Sequence, residues 1–293
     1  MTHALDGFDI LPRMPSWVTP SRPQTLEDAA FLSGAALGHL HLVLTREDVP
    51  QNLLRARLAV QAAEQCVLVS GRSERAKELR DAVAFLHPGD HPGPAGQVYR
   101  MWQRVVEKPF AVKALFRALP DLEPEQIAVW LDAGQGTPVA RAAGVLDVVL
   151  RDMGPRDPAT ALVLADVALA HSLRWTHVVP LLALGLKRSD LRASGDALRL
   201  ACHGAVVTAA SEAARAAVDL SRRFVRLQSV APKLRARGAE EAVAQFLTRD
   251  AVAPADLTSL RSPRAARRFC DRLVDLGAVR ELTGRATFRL YGV

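Results

Sequence analysis

The chain has 293 residues, 49% of them hydrophobic and 24% charged, with a formal net charge of +7 at pH 7. This length can bury a sizeable core, so one large domain and one small one are expected, and the apolar content excludes a disordered chain. Only five of the 38 basic residues are lysine, a bias typical of a GC-rich genome. The overall charge is therefore weak evidence for a ligand, and local clusters are better evidence.

Targeting signals are not evident in the sequence. The N-terminal segment MTHALDGFDILPRMPSW lacks a basic region followed by an apolar one, and no apolar run is typical of a membrane span. Cys66, Cys202 and Cys270 are odd in number and each falls on an apolar helical stripe, which is typical of reduced core residues. A cytoplasmic protein without a membrane partner is expected.

An all-α body is predicted from the hydrophobic periodicity. Residues 1–24 contain Pro12, Pro15, Pro20 and Pro23 without periodicity, and we expect an N-terminal extension there, followed by a helical domain over 25–236. The expected helices run over about 25–44, 51–70, 73–86, 96–107, 110–119, 124–133, 138–153 and 158–173, and a long alanine-rich helix runs over about 196–230. At 1.5 Å per residue the long helix would span about 50 Å and would serve as a strut between domains.

Asp166 is the one polar residue of interest in the body. It lies in DPATALVLADVALAHSL, where the helix is apolar nearly all round and therefore predicted to be buried. A buried carboxylate needs a partner or its pKa rises, and such sites are enriched in function. The simpler interpretation is a structural ion pair with Arg141 or Arg174.

The loop from His87 to Gly96 is the strongest candidate for a metal site in the body. His87 and His91 flank Asp90, but the sequence offers no third ligand. Pro88, Gly89 and their neighbours interrupt any helix, so an ordered turn is predicted. We predict no metal, no cofactor and no catalytic constellation.

Residues 237–293 are predicted to form a winged helix-turn-helix with a short β-hairpin wing. Helices are expected over about 239–248 and 255–260, and in a third segment after Ser262, a suitable cap, with Pro263 in the first turn. Gly277 would end the third helix, and two short runs around Gly284 are typical of a hairpin with a bulge or an early turn.

Positive charge is concentrated in this C-terminal segment. From residue 261 onward eight arginines stand against three acidic residues, a net charge of +5 out of +7. Several arginines lie in the N-terminal half of the third helix, the part that meets bases in a helix-turn-helix, and Arg285 is predicted at the tip of the wing. The residues predicted to bind DNA are Arg261, Arg264, Arg267, Arg268, Arg285 and Arg289.

Three stretches carry a family resemblance: LHPGDHPGPAGQVYR, VAPKLRARGAEEAV and LVDLGAVRELTGRATFRLYGV. Together they resemble the bacterial family called domain of unknown function 1403 over most of the chain. The resemblance implies no activity, because that family has no established binding or catalytic residues.

The C-terminal segment also resembles the winged helix that follows the catalytic domain of Fic-type proteins, which transfer nucleotide monophosphates to protein hydroxyls. The catalytic loop of those proteins contains His-Pro-Phe, then an acid and Gly-Asn-Gly-Arg. His87 and Pro88 match, but Gly89 replaces the aromatic residue and no Asn or Arg stands where phosphate would be held. No transferase activity is inferred.

Three functions remain open from the sequence. The first is a non-catalytic DNA-binding or regulatory protein that uses its winged helix on double-stranded DNA. The second is an interaction scaffold whose winged helix docks a protein partner or a second copy of the chain, since winged helices serve that purpose too. The third is a degenerate or unrecognised enzyme built on the helical body. A basic groove between tail and body would favour the first, and an exposed apolar patch on the third helix the second.

Overall fold

A computed structural model describes residues 13–19, 25–87, 89–154 and 158–293. The described chain is mostly helical, with a two-stranded antiparallel sheet near its C-terminus, which confirms the all-α class. The body helices are α1 (Leu26–Leu44), α2 (Gln51–Val69), α3 (Ala76–Ala84), α4 (Gly93–Glu107), α5 (Val112–Ala118), α6 (Pro124–Asp132), α7 (Pro138–Met153), α8 (Ala159–Ser172), α9 (Leu182–Gly185) and α10 (Gly195–Val230). The remaining elements are α11 (Ala239–Thr248), α12 (Pro263–Asp275), β1 (Arg280–Glu281) and β2 (Tyr291–Gly292).

Several helix ends lie where the capping signals of the sequence predicted them. The Thr25 hydroxyl accepts the backbone N–H of Asp28 at 3.1 Å and so satisfies one of the unpaired donors in the first turn of α1. Pro124 and Pro138 open α6 and α7, where the missing N–H costs nothing. Gly277 adopts a φ of 63° directly after the last turn of α12, as a C-terminal glycine should.

Some elements differ from the prediction. The helix expected over about 255–260 is only a 3-10 turn, Pro254–Asp256, in which the Asp256 carboxylate accepts the N–H of Ala253. Helix α3 begins at Ala76 and not at the expected Ser73. The Glu78 carboxylate accepts the N–H of Arg75 at its start, and Ser73 does not cap it. The short α9 was not predicted.

The proline-rich lead lies mostly outside the described residues, including Pro12, Pro20 and Pro23. The described part contains a 3-10 turn, Ser16–Val18, whose Val18 is buried.

The core is built around α8, which is buried on nearly every side. Helices α7 and α9 pack against α8, α1 and α7 pack along α10, and α2 pairs with α4. The long helix predicted for the alanine-rich segment is confirmed as an unbroken α10 of 36 residues. Near the C-terminal end of α10, Arg226 donates to the carbonyl of Leu276 at 2.9 Å. No helix of the described ranges is long and apolar enough to cross a membrane.

The C-terminal segment is fixed to the body by a buried carboxylate. Asp250 has a side-chain exposure of 1%, and its two oxygens pair with Arg57 of α2 and Arg80 of α3, the latter at 2.5 Å. Arg57 also donates to the main-chain oxygen of Val293 at 3.0 Å. One buried anion therefore joins two body helices to the segment after α11, and Arg57 adds a contact to the last residue.

Replacing Asp250 with alanine should leave Arg57 and Arg80 largely buried without their acidic partner. Breaking a buried pair in this way costs about 3–5 kcal/mol, so Asp250→Ala should reduce the free energy of unfolding by that order in denaturant titrations. The matched control is Asp196→Ala, which removes the exposed pair with Arg199 and should cost less than about 1 kcal/mol. Equal stability of the two variants would contradict the anchoring role of Asp250.

Candidate nucleic-acid interface

Helix α12 presents one apolar face to the core and one basic face to solvent. The Ser262 hydroxyl accepts the N–H of Ala265 at 3.2 Å and Pro263 follows the cap, so the helix has a well-defined start. The residues at three- and four-residue spacing that face the core are Ala266, Phe269, Cys270 and Leu273. This packing turns the arginines at intervening positions outward.

Four of the six arginines predicted to bind DNA lie on this outer face or just before the helix. Arg261, Arg264, Arg267 and Arg268 are all exposed, and none forms an ion pair within the described part of the chain. Arg267 makes one long hydrogen bond, 3.4 Å, to the carbonyl of Pro263. The acidic residues of this face, Asp271 and Asp275, lie in the C-terminal half, so the N-terminal half is purely basic.

The structure adds two arginines that the sequence interpretation missed. Gly238, with a φ of 81°, meets Ser259 so closely that a Cβ there would lie 2.2 Å from the Ser259 carbonyl oxygen. The Ser259 hydroxyl donates to the Gly238 carbonyl at 2.9 Å. This contact sets the exposed Arg235 and Arg237 beside the segment that leads into α12. The run KLRAR before Gly238 was the available signal.

The other two predicted arginines are engaged within the molecule. Arg285 makes two hydrogen bonds of 2.8 Å to the Asp81 carboxylate of α3, and its guanidinium lies 5.3 Å from the centre of the Phe85 ring. Arg289 donates to the main-chain oxygen of Arg285 at 3.0 Å and lies 3.7 Å from Asp271. Arg285 therefore docks the hairpin on α3, and Arg289 links it to α12.

The hairpin turns early, because Glu281 organises its first bend. The carboxylate of Glu281 accepts the N–H groups of Thr283 and Gly284, both at 2.7 Å. Strand β1 pairs antiparallel with β2, and Tyr291 also pairs with Val252 on its other side through bonds of 2.8 and 2.9 Å. Three short segments thus lie side by side next to α12.

A cleft of about 700 Å³ lies where the body meets the C-terminal segment. Its walls come from α2, α3 and α4 on one side and from residues 248–251 and 256 on the other. The charged residues that line it are Arg55, Arg80, Arg100, Arg104, Lys108 and Arg249, against Glu107, Asp250 and Asp256. The balance of charge in this cleft is positive.

A second, more apolar cleft of about 520 Å³ lies between α1, α10 and the start of α7. On its wall the Ser33 hydroxyl and Nδ1 of His203 are 2.7 Å apart, and both residues are buried. Burial lowers the pKa of His203, which favours the neutral imidazole. A serine nucleophile needs a third group that orients its histidine base. No carboxylate of the described residues pairs with His203, so the Ser33–His203 pair has no such orienting group among them.

Asp166 lies in the interior with no exposed surface. Its carboxylate accepts three backbone N–H groups, from Leu181 at 2.9 Å, Leu182 at 2.8 Å and Ala183 at 3.0 Å. The predicted burial of Asp166 and its need for a partner are confirmed, but the expected ion pair with Arg141 or Arg174 is wrong, because these backbone amides at the start of α9 take its place. Burial raises the pKa of Asp166 to about 7, against the opposing effect of the three donors.

The histidine loop is a turn on the surface. The Asp90 carboxylate accepts the backbone N–H of His87 at 2.9 Å, and Gly89 and Gly93 have positive φ values of 96° and 69°. Pro88 lies outside the described residues. Among the described residues no group of three potential ligands contains His87 or His91.

The chain belongs to the family described as protein of unknown function DUF1403, whose model matches residues 2–293. No curated protein matches it significantly.

The raised pKa of the buried Asp166 can be tested through the pH dependence of stability. Burial raises the pKa of Asp166 in the folded state to about 7, well above that of an exposed aspartate, so the folded chain holds the proton more tightly than the unfolded chain. The contribution of Asp166 to stability should therefore decline as pH rises from about 4 to about 7, by up to about 1.4 kcal/mol per pH unit. Asp166→Asn cannot titrate, so the stability of wild type minus that of the variant should fall over this range. Parallel pH profiles would contradict the raised pKa.

Proposed function

We propose that this protein binds double-stranded DNA through a C-terminal winged helix and acts as a DNA-binding or regulatory protein without catalysis. The observation that carries the proposal is the purely basic start of α12, where Arg264 and Arg268 on the helix and Arg261 just before it are exposed and unpaired within the described chain. Phosphate neutralisation by such side chains supplies most non-specific affinity for DNA.

The order of elements supports the winged-helix assignment. Helix α11, the bridge at Val252, the 3-10 turn, α12 and the hairpin follow one another as helix, strand, turn, helix and wing. In helix-turn-helix proteins the second helix enters the major groove with its N-terminal residues leading. Here α12 holds that position, and its N-terminal end is the basic one.

The proposed contact differs in one respect from the sequence interpretation. Because Arg285 is held by Asp81, the hairpin offers little free positive charge at this point. Arg235 and Arg237 lie beside the start of α12 instead, and we propose that they contact the flanking phosphates. The proposed partner is then duplex DNA, and the proposed location is the cytoplasm.

Docking of another protein or a second copy is the alternative function, and it would call for an apolar surface on α12. Among the large hydrophobic residues of α12, only Val274 is exposed, at 37%. A single exposed valine is ordinary for a soluble protein. The positive charge at the start of α12 favours DNA over a protein partner.

The double variant Arg264→Ala with Arg268→Ala should weaken duplex binding strongly at low salt and leave the fold intact, since neither side chain belongs to the buried face. Each lost phosphate contact should flatten the slope of log K against log salt by about one unit. Fluorescence anisotropy with a labelled duplex over a series of salt concentrations gives both quantities.

The matched control removes the same charge elsewhere. Arg188 and Arg192 are exposed and precede the N-terminus of α10, whereas the C-terminal segment meets the last part of that helix of 36 residues. Arg188→Ala with Arg192→Ala should keep the wild-type slope. If both double variants lose the same affinity, only net charge matters and the α12 interface is wrong.

A further inference from the structure

Arg55 of α2 carries a buried charge that no acidic residue of the described chain neutralises. It is 9% exposed, its Nε donates to the carbonyl of Val106 at 3.2 Å, and its Nη2 donates to the Asn52 amide oxygen at 2.5 Å. Both acceptors are neutral. An arginine keeps its proton in proteins, so the positive charge stays in place, and a buried charge without a counter-charge is costly.

Two more arginines line the same cleft without a counter-ion. Arg100 and Arg104 are one turn apart on α4, where like charges destabilise a helix by about 0.2–0.5 kcal/mol. Neither forms an ion pair within the described ranges, nor does Arg55.

The other basic residues of the cleft already have acidic partners. Arg80 is bound to Asp250, Lys108 lies 3.4 Å from Glu107, and Arg249 lies 3.7 Å from Asp256. Each acidic residue of the lining is therefore paired, and three guanidinium groups remain uncompensated.

We propose that this junction cleft binds the phosphate group of a small molecule through Arg55, Arg100 and Arg104. Guanidinium groups match the oxygens of phosphate in pairs of parallel hydrogen bonds, and such charge-assisted bonds are the strong ones. Asn52 and Gln103 on the lining offer further neutral donors. The volume of about 700 Å³ leaves room for the body of the molecule as well as its phosphate.

The position of the cleft gives the bound molecule a regulatory role. One wall is formed by α4, and the other by Thr248–Ala251 with Asp256, directly before α12. A ligand that contacts both walls stabilises the docked state of the C-terminal segment, because it binds that state better than any undocked one.

The phosphate has two sources with the same chemistry: a free phosphorylated molecule and the backbone of DNA held on α12. We favour the free molecule, because Arg55 lines the cleft and is nine-tenths buried, which disfavours contact with a continuous duplex backbone. This inference rests on the cleft alone and does not depend on DNA binding by α12.

The experiment is calorimetric titration with inorganic phosphate and with pyrophosphate, at an ionic strength held constant with chloride. Wild type should bind both probes. Arg100→Gln with Arg104→Gln should lose at least about tenfold in affinity, and Arg264→Ala with Arg268→Ala should bind as wild type does. Since Arg100 and Arg104 are not buried, the cleft variant should fold, and an unchanged melting temperature without ligand checks this.

The outcomes separate the interpretations. Absence of binding in wild type, equal affinity in the cleft variant, or loss of binding only in the α12 variant would each overturn the cleft site. Repeating the titration with duplex DNA present identifies the source: unchanged phosphate binding supports a free molecule, and competition shows that the backbone occupies the cleft. Failure of DNA binding with intact phosphate binding would refute the proposed function and leave this inference standing.

Discussion

The buried carboxylate of Asp250 is the constraint on which the arrangement of this molecule depends. It pairs with Arg57 and Arg80 from two different body helices, and it lies two residues before the bridge between Val252 and Tyr291. A buried ion pair adds little to stability compared with apolar packing, but one lost partner is expensive, so such a cluster specifies geometry. Here it fixes where α12 and the hairpin lie relative to the body.

This anchoring decides which arginines can meet a partner. Because the hairpin packs against α3, Arg285 forms an ion pair with Asp81 and lies over the ring of Phe85. Its side chain therefore stabilises the fold. The outer face of α12 is exposed, so its arginines remain in contact with solvent. The contact of Gly238 with Ser259 brings the chain that carries Arg235 and Arg237 close to the segment before α12. The segment from Thr248 to Asp256 contributes to the lining of the basic cleft.

Local rules predicted most of the elements, because capping and periodicity are properties of neighbouring residues. Thr25, Pro138 and Gly277 each mark a helix end that the structure confirms. The partners of Asp166 and Arg285 could not be predicted in the same way. Asp166 accepts hydrogen bonds from backbone amides at the start of α9, a helix that was not predicted. Arg285 pairs with a carboxylate 204 positions away in the sequence. Neither interaction leaves a periodic signal in the sequence. The uncompensated Arg55 likewise becomes evident only when the acidic residues around it are seen to be paired.

The salt dependence of duplex binding by the wild-type chain tests the central claim most directly. If α12 with Arg235 and Arg237 contacts the backbone, the plot of log K against log salt should be linear and should fall by about 0.9 for every phosphate neutralised, so several contacts give a slope of several units. Binding should be measurable at about 50 mM salt and much weaker at about 200 mM. No duplex binding at the lower concentration, or binding that salt does not weaken, would contradict a DNA interface and leave protein docking as the function of this segment.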